Sequence, residues 1–275
     1  EQKEDSNLDV TEDPFCVYIS GSDTREAKLA KSRSDVNILA FVNPVSKQVL
    51  LLNTPRDYYI NISIAPDSKD KLTHCGLYGI DCSMDTLADL YGIDSVNYYA
   101  QINFTGFETL IDEIGGVTVY SDASFTSSDY PDYKYVKGEN ELNGSEALAF
   151  VRERYHLGDG DYARGRHQME VISAVMQKVL SPDILSHYTD VLAGIDGCFE
   201  TNFSYDRLAE LVRQQLTNGG SWNIVSYSVN GSGDTRQPYS MSANAYVMIP
   251  DQTTVDKAKT LMQKVRQGFM LSEAD

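Results

Sequence analysis

Apolar residues occur along this chain as short continuous runs that alternate with helical stripes. The first three runs cover residues 15–21, 36–44 and 48–55, and each is rich in β-forming side chains. The turn sequence NPVSK at 43–47 separates the second run from the third, which predicts a hairpin. Since these runs show little alternation of apolar with polar residues, they predict a sheet that is covered on both faces.

Segments whose apolar residues have the spacing of a helix follow the hairpin. Residues 83–93 have the apolar spacing of a short helix that ends at Gly92, and 97–103 are strand-like. In the next segment, TGFETLIDEIGGVTVYS, Thr105 and Glu108 match a capping box, two glycines end the predicted helix, and VTVY resumes a strand. The order of strand, helix and strand predicts an α/β fold with a mixed β-sheet sandwiched between helices, at least partly parallel.

The second half of the chain predicts more helix than strand. A polar segment at 121–138 indicates a surface loop, and a helix at 143–154 is capped by Asn143 or Ser145. The remaining predicted elements are helices at 163–180, 206–216 and 254–268 and strands at 222–229 and 246–250. The pattern therefore predicts an acidic linker over 1–14 and a single catalytic domain over 15–271, with an extended C-terminal portion from about 183.

Composition narrows the class of protein. The chain has 275 residues, is 41% hydrophobic and carries 40 acidic against 23 basic residues, a net charge of −17. An acidic balance argues against nucleic acid as a partner, because backbone binding needs clustered Lys and Arg. No window reaches the 18 apolar residues of a membrane span. Since the first 14 residues resemble a linker, we expect a signal or anchor to precede them in a longer protein.

The four cysteines are Cys16, Cys75, Cys82 and Cys198. None forms a CxxC pair and histidine is scarce, so a zinc site is disfavoured. Either buried thiols or two disulfides remain, and the candidate pairs are Cys75 with Cys82 and Cys16 with Cys198. Such bridges would persist only in an oxidising, extracytoplasmic setting.

Arginine and aspartate gather in three loop regions. Residues 21–37 contain Asp23, Arg33 and Asp35, Arg56 and Asp57 follow an apolar strand directly, and a third set lies at 152–166: Arg152, Arg154, Arg164 and Arg166. The guanidinium fork binds phosphate oxygens in pairs, so these arginines suit a pyrophosphate. Aspartates beside such a ligand require a cation between them, and Mg²⁺ takes one or two carboxylates plus phosphate oxygens.

The alternative is a set of surface salt bridges, each contributing about 0–1 kcal/mol without function. Under this alternative Glu153 faces the solvent and Arg166 pairs with helix carboxylates. His74 and His167 are then ordinary surface histidines.

Seven segments, in this order, resemble the LytR-CpsA-Psr family of cell-envelope glycopolymer transferases: ISGSDTR, RSDVNILAFVNP, LLNTPRDYYI, KLTHCGLYGID, INFTGFETLIDEIGGV, LNGSEALAFVRER and DYARGRHQ. The resemblance implies that this protein transfers a glycopolymer from a polyprenyl pyrophosphate to peptidoglycan through a phosphodiester, outside the membrane. It implies Asp23 and Asp35 as ligands of Mg²⁺ or Mn²⁺. It also implies a set of residues around the pyrophosphate, namely Arg33, Arg56, Arg152, Arg154, Arg164 and Gln168.

The last motif departs from the family pattern, because Arg166 and His167 stand between Arg164 and Gln168. For the reaction we expect Mg²⁺ and the arginines to offset charge while a sugar hydroxyl attacks phosphorus, with Asp57 or Asp35 as proton acceptor. Two other hypotheses remain open: a pyrophosphatase acting on the lipid carrier, and a non-catalytic module that binds polyprenyl phosphate or glycan. We expect the full-length protein to be anchored in the cell membrane and to act outside it.

Overall fold

The computed structural model describes residues 8–22, 31–153 and 161–272, with the side chains of 161–164 left out of that description. The strands in chain order are β1 Phe15–Ser22, β2 Ser34–Asn43, β3 Gln48–Asn53, β4 Tyr59–Ile62, β5 Ala65–Lys71, β6 Tyr98–Asn103, β7 Val117–Ser121, β8 Phe125–Thr126, β9 Lys134–Tyr135, β10 Gly138–Leu142, β11 Phe199–Thr201, β12 Asn223–Ser228, β13 Gly231–Arg236 and β14 Ala245–Pro250. The helices are α1 Leu72–Tyr78, α2 Ile80–Tyr91, α3 Phe104–Glu113, α4 Gly144–Arg152, α5 Asp161–Val179, α6 Pro182–Ser186, α7 Tyr188–Gly194, α8 Tyr205–Asn218 and α9 Gln252–Arg266.

The chain divides into two compact units. Unit 1 combines Glu1–Asn103 with Phe199–Asp275, and unit 2 is the continuous segment Phe104–Cys198. The prediction of one catalytic domain over 15–271 stays a prediction.

Unit 1 is built on a six-stranded sheet in the order β11-β6-β1-β2-β3-β12. The hairpin of β2 and β3 is antiparallel, as predicted, whereas β1 with β6 and β3 with β12 pair in parallel. The mixed α/β sheet expected from the sequence is thus confirmed. Every residue of β3 and the last seven of β2 are buried, which confirms that this part of the sheet is covered on both faces.

The core of unit 1 joins one face of the sheet to helices α1, α2 and α9. Tyr18, Leu39 and Leu52 belong to one buried cluster with Leu72 of α1 and Leu261 of α9. Apolar positions of α9 recur at helical spacing along its inner face, so burial of that stripe holds the helix on the strands.

Unit 2 contains α3 to α7 around its own core. The cap predicted at Asn143 is confirmed, and it forms a capping box, because the Asn143 side chain accepts from the Glu146 backbone N–H and the Glu146 side chain accepts from the Asn143 N–H. The predicted capping box at Thr105 is wrong, since α3 already begins at Phe104 and Thr105 lies within it. Helix α3 follows β6 with no connecting residue, so the helix begins one residue before the threonine that was predicted to cap it.

The disulfide predictions are not met. All four cysteines are free thiols, with Cys16, Cys75 and Cys82 buried and Cys198 half-buried. The structure thus agrees with the alternative of buried thiols for Cys16, Cys75 and Cys82, a choice that sequence separation alone could not make.

His74 is a buried residue of α1 and not a surface histidine. Its Nδ1 lies 2.6 Å from Asp70 Oδ1 and 2.8 Å from the Ser240 hydroxyl. Burial opposes ionisation of Asp70, yet hydrogen bonds from His74, Ser240 and the Lys71 N–H hold the pKa of this carboxyl below its ordinary value. Hydrogen bonds among Asp70, His74 and Ser240 therefore hold the segment after β13 against the start of α1.

None of the helices within the described ranges combines the length and apolar content needed to cross a membrane.

Gly76 lets α1 approach the residues that precede β2. A Cβ at this position would lie 2.2 Å from the Ser32 carbonyl oxygen. Alanine inside a helix normally stabilises by about 1 kcal/mol over glycine. Because the clash is with backbone, we expect Gly76→Ala to lower the free energy of unfolding by about 2 kcal/mol instead. Urea denaturation measures the change.

The matched control is Gly194→Ala, where the new Cβ meets only the flexible side chain of Glu113. We expect this variant to unfold at or above the urea concentration of the unchanged protein. Equal stability of the Gly76 variant and the control would contradict the close approach of α1 to residue 32.

Candidate active site

The first part of the candidate site is an ion pair at one edge of the unit 1 sheet. Asp35 is the second residue of β2, and Arg56 lies three residues beyond the end of β3. Because the two strands are antiparallel and Ile38 pairs with Asn53, the start of β2 and the exit of β3 lie together. Arg56 Nη1 donates to Asp35 Oδ1, and both side chains are about four-fifths shielded from solvent (20% and 19% exposed).

Asp57 and Lys71 extend this pair into a row of alternating charge. Lys71 Nζ donates to Asp57 Oδ1 at 2.9 Å, and Arg56 Nε lies 3.9 Å from Asp57 Oδ2. Lys71 arrives through the β4–β5 hairpin, in which it pairs with Tyr59. Sequence reasoning missed Lys71, because only the return of that hairpin brings it beside residue 57.

Several buried polar atoms beside this row have no hydrogen-bond partner within the described part of the chain. They include Arg56 Nε, Thr73 Oγ1 and Ser22 Oγ. The Thr73 N–H donates to the Arg56 carbonyl at 2.9 Å, so the first two belong to adjoining backbone segments. An unpaired buried polar group costs about 1–3 kcal/mol. Such atoms favour a ligand rich in oxygen, which can accept from the guanidinium and the hydroxyls.

The structure describes one of the two predicted metal ligands. Asp23 lies outside the described residues, and Asp35 is described in contact with Arg56. Among the described side chains, no group of three His, Cys, Asp or Glu could hold a metal ion. Mg²⁺ needs only one or two carboxylates when phosphate oxygens complete its shell. The partly shielded carboxylate of Asp35 has the donor chemistry that Mg²⁺ or Mn²⁺ takes, so this residue fits the ion. Arg33, two residues earlier, is exposed.

In unit 2, Arg152 occupies the last turn of α4. Its Nη2 lies 3.3 Å from Asp129 Oδ2, and its guanidinium carbon lies 5.1 Å from the centre of the Phe104 ring. A cation over an aromatic face is attracted by the ring electrons. The side chain remains 36% exposed, so its outward edge is available to an anion.

Glu153 ends α4 and is buried, with 2% of its surface exposed. Its carboxylate accepts from the Ser128 N–H at 2.7 Å and from the Ser128 hydroxyl at 2.8 Å. The solvent-facing alternative for Glu153 is therefore wrong. Its neighbour Arg154 lies outside the described residues.

Helix α5 carries the end of the candidate set. Arg164 belongs to this helix, but its side chain lies outside the described residues, and Gln168 is half-buried. Arg166 points to the loop after β7, where its Nη2 lies 3.2 Å from Asp122 Oδ2 with both side chains exposed. Asp35, Arg56 and Asp57 thus lie together in unit 1, and Arg152 lies in unit 2.

His167 is also buried, so its interpretation as a surface histidine is wrong. Its ring stacks on Phe150 at 3.9 Å and on Phe125 at 5.4 Å between centroids. Nδ1 donates to the Phe150 carbonyl at 3.1 Å, and the buried Nε2 has no hydrogen-bond partner in the described structure. Burial lowers the pKa of this imidazole. His167 is thus an aromatic core residue of unit 2, packed against Phe125 and Phe150.

Comparison with known proteins points to one family. The model described as the LytR_cpsA_psr family matches residues 1–264. Among curated relatives, the polyisoprenyl-teichoic acid–peptidoglycan teichoic acid transferase TagU of Enterococcus faecalis is 34% identical over 212 residues, covering 76% of this chain and 68% of the relative.

Solved structures agree with that match. Bacillus subtilis TagV superimposes with a TM-score of 0.76 at 26% identity, covering 94% of this chain and 99% of the other. A structure of TagT bound to LI-WTA gives a TM-score of 0.72 at 28% identity, covering 94% and 92%.

The neutral state of His167 predicts a pH dependence of stability. Since its folded pKa lies below the ordinary value of about 6.5, the unfolded chain takes up the proton first as pH falls. The contribution of neutral His167 to the free energy of unfolding is complete above about pH 6.5, and it is lost as pH falls from there through the folded pKa. We expect His167→Phe to flatten the decline in unfolding free energy between about pH 7 and pH 5.5, measured by urea denaturation.

The control for this prediction is His187→Gln, a change in a half-buried histidine at the start of α7. We expect it to retain the decline of the unchanged protein. The same decline in the His167→Phe variant would show that His167 does not cause it.

Proposed function

This chain belongs to the LytR_cpsA_psr family, and from that premise we propose that it is a phosphotransferase acting on glycopolymer donors. The proposed donor is a glycopolymer of the teichoic acid type on a polyisoprenyl pyrophosphate, and the proposed acceptor is peptidoglycan. The curated relative named above supports this choice, because its name states teichoic acid transfer to peptidoglycan.

One observation carries the proposal at the level of the site. Arg56 presents a shielded guanidinium whose buried Nε has no hydrogen-bond partner among the described residues, while its Nη1 donates to Asp35. Guanidinium N–H groups bind phosphate oxygens in charge-assisted hydrogen bonds, which are about twice as strong as neutral ones. The diphosphate of the carrier supplies such oxygens.

The row of charges explains how Arg56 is kept in place. Lys71 neutralises Asp57, and Asp57 faces the Nε side of Arg56. Because its Oδ2 lies 3.9 Å from Arg56 Nε, we assign Asp57 to positioning the guanidinium, and both Asp57 and Asp35 remain candidate proton acceptors. A positioned cation costs no reorganisation when negative charge develops on the phosphoryl oxygens.

We propose Asp23 and Asp35 as the residues that would hold Mg²⁺ or Mn²⁺. When bound, the ion would neutralise charge on the phosphate oxygens. Asp35 has a carboxylate oxygen in contact with Arg56, so the same side chain would serve both the guanidinium and the metal ion.

The arginines of unit 2 complete the proposed set. We assign Arg152, Arg154, Arg164 and Gln168 to the pyrophosphate and its surroundings, together with Arg33. Arg152 supports this role, because Asp129 and the Phe104 ring hold its guanidinium from within unit 2 while part of it faces solvent.

In the proposed reaction, an acceptor hydroxyl attacks the phosphorus nearest the glycan. A new P–O bond forms to the acceptor, the P–O bond of the diphosphate bridge breaks, and polyisoprenyl phosphate leaves. The proton of the hydroxyl passes to a carboxylate, for which Asp57 and Asp35 are the candidates. Since peptidoglycan lies outside the cytoplasmic membrane, we propose that the protein acts there and that its full-length form is anchored in the cell membrane.

Product analysis tests the reaction class. A labelled polyisoprenyl-pyrophosphate glycan is incubated with peptidoglycan, and we expect label in the peptidoglycan with release of polyisoprenyl phosphate. Release of phosphorylated glycan without linkage would identify a pyrophosphatase. Retention of intact donor would identify a binding module. Either result would overturn transfer.

Loss of Arg56 or Arg152 should impair transfer. We expect Arg56→Ala and Arg152→Ala each to lower the transfer rate by at least about 100-fold, since removing one preorganised donor typically costs 10²–10³ in kcat. Initial rates of label incorporation measure the effect. The control is Arg236→Ala, which removes a 58% exposed arginine whose Nη2 lies 2.7 Å from Asp234 on the same strand. Unchanged rates in both site variants would contradict the mechanism.

Removal of divalent metal should stop transfer. We expect a chelator to reduce label incorporation to background and added Mg²⁺ or Mn²⁺ to restore it, because the carboxylates otherwise repel the diphosphate. Asp35→Asn should raise the metal concentration needed for half-maximal rate, whereas Asp234→Asn should leave it unchanged. Full transfer in excess chelator would rule out the metal.

A further inference from the structure

A segment without charged side chains lies next to the charged residues of unit 1. Residues 237–250, which lead from β13 into β14 and form that strand, contain no Asp, Glu, Lys or Arg, although 23% of the whole chain is charged. Exposed side chains with hydroxyl or amide groups occur here instead, namely Gln237, Tyr239, Ser240, Ser242, Asn244 and Tyr246. Anionic ligands are bound most strongly by Arg and Lys, so this composition favours a neutral ligand rich in hydroxyl groups.

Two tyrosine rings are the largest exposed groups of this segment. Tyr239 has 53% of its surface exposed and Tyr246 has 49%. Gly233 on β13 leaves space for the Tyr246 ring, since a Cβ there would lie 2.9 Å from the ring carbon Cε2. A tyrosine combines an apolar ring face with a hydroxyl and loses little conformational entropy on binding. Sugar rings likewise combine apolar C–H faces with hydroxyl groups, so tyrosine and a sugar are complementary.

Hydrogen bonds hold the loop that carries Tyr239. Its N–H donates to the Lys69 carbonyl at 3.0 Å, and the next N–H, of Ser240, donates to Asp70 Oδ2 at 3.0 Å. The Ser240 hydroxyl also lies 2.8 Å from Nδ1 of the buried His74. The loop is therefore ordered before a ligand arrives, which removes part of the entropic cost of binding.

The same segment borders the row of charges at two points. Lys69 and Asp70, which hold the loop, directly precede Lys71 on β5. On β14, the Met248 N–H donates to the Asp57 carbonyl at 2.8 Å. Lys71 and Asp57 are themselves paired within the row. A ligand on the uncharged segment would thus lie next to the residues assigned to the diphosphate.

We propose that segment 237–250 is a saccharide-binding surface for the acceptor glycan, with Tyr239 as the residue that stacks on a sugar ring. This inference rests on the proposed function, which leaves the place of the acceptor open. The donor suits the segment less well, because a teichoic acid is an anionic polymer and the segment offers it no cation. The amino-sugar rings of a peptidoglycan strand present neutral faces that a tyrosine can cover.

Binding of a neutral glycan tests the surface without the transfer reaction. Chitotetraose, a soluble tetramer of N-acetylglucosamine, is titrated into the full chain, and backbone amide shifts are followed by NMR. We expect saturable shifts centred on residues 237–250. Tyr239→Ala should weaken the affinity about 10-fold, because one aromatic contact is lost. Tyr239→Phe keeps the ring and should retain the affinity.

The matched control is Tyr205→Ala, which removes a 76% exposed tyrosine from the start of α8 in the same unit. This variant should bind chitotetraose as the unchanged protein does. Three results would overturn the inference: equal affinity in the Tyr239→Ala variant, shifts centred on another part of the chain, or no saturable shift.

The transfer assay separates this inference from the proposed function. With soluble peptidoglycan strands as the varied substrate, Tyr239→Ala should raise the acceptor KM about 10-fold and leave kcat and the donor KM unchanged, since the ring binds the acceptor equally before and during reaction. An unchanged acceptor KM would overturn the assignment to the acceptor. If chitotetraose binds at this segment but the unchanged protein transfers no label, the proposed reaction fails and the saccharide-binding surface stands.

Discussion

A guanidinium cannot shed its charge, and this constraint governs the edge of the unit 1 sheet. Arg56 is four-fifths shielded, so it must be neutralised where it stands. Asp35 does this from the start of β2, while Asp57 balances Lys71 beside it. The row contains two positive and two negative groups, and removal of any member leaves a partly buried charge without its partner. Under the proposed function, a diphosphate would bind here by exchanging partners with the carboxylates, since the cations are already in position.

The pairing of the strands brings these four charged residues together, more than the sequence of any one loop does. The antiparallel pairing of β2 with β3 returns the chain to the edge where Asp35 stands, and the β4–β5 hairpin then returns Lys71 to Asp57. Helix α1 follows at once, pressed against the residues before β2 at Gly76. Rigid strands with buried faces thus hold a polar cluster that no single segment could position.

The sequence predicted those elements whose signals are local. Continuous apolar runs predicted β1, β2 and β3, and helical periodicity predicted α2, α5, α8 and α9 to within about three residues. The β4–β5 hairpin was not predicted, because the β5 sequence APDSKDK is polar and tertiary context sets its pairing. The same limit applied to the site. Arg56 and Asp35 could be nominated from composition, but Lys71 required the hairpin, and the burial of Glu153 and His167 required the packing of unit 2.

The order in which strands enter the six-stranded sheet has a consequence for synthesis. Its outer strands β11 and β12 come from residues beyond 198, while its four inner strands come from the first 103. Unit 2 is continuous in sequence and can condense as soon as it emerges, whereas unit 1 must wait for its last strands across a long loop closure. During that interval β6 and β3 present open hydrogen-bonding edges. A nascent chain halted near residue 198 would therefore be a target for chaperones or for self-association.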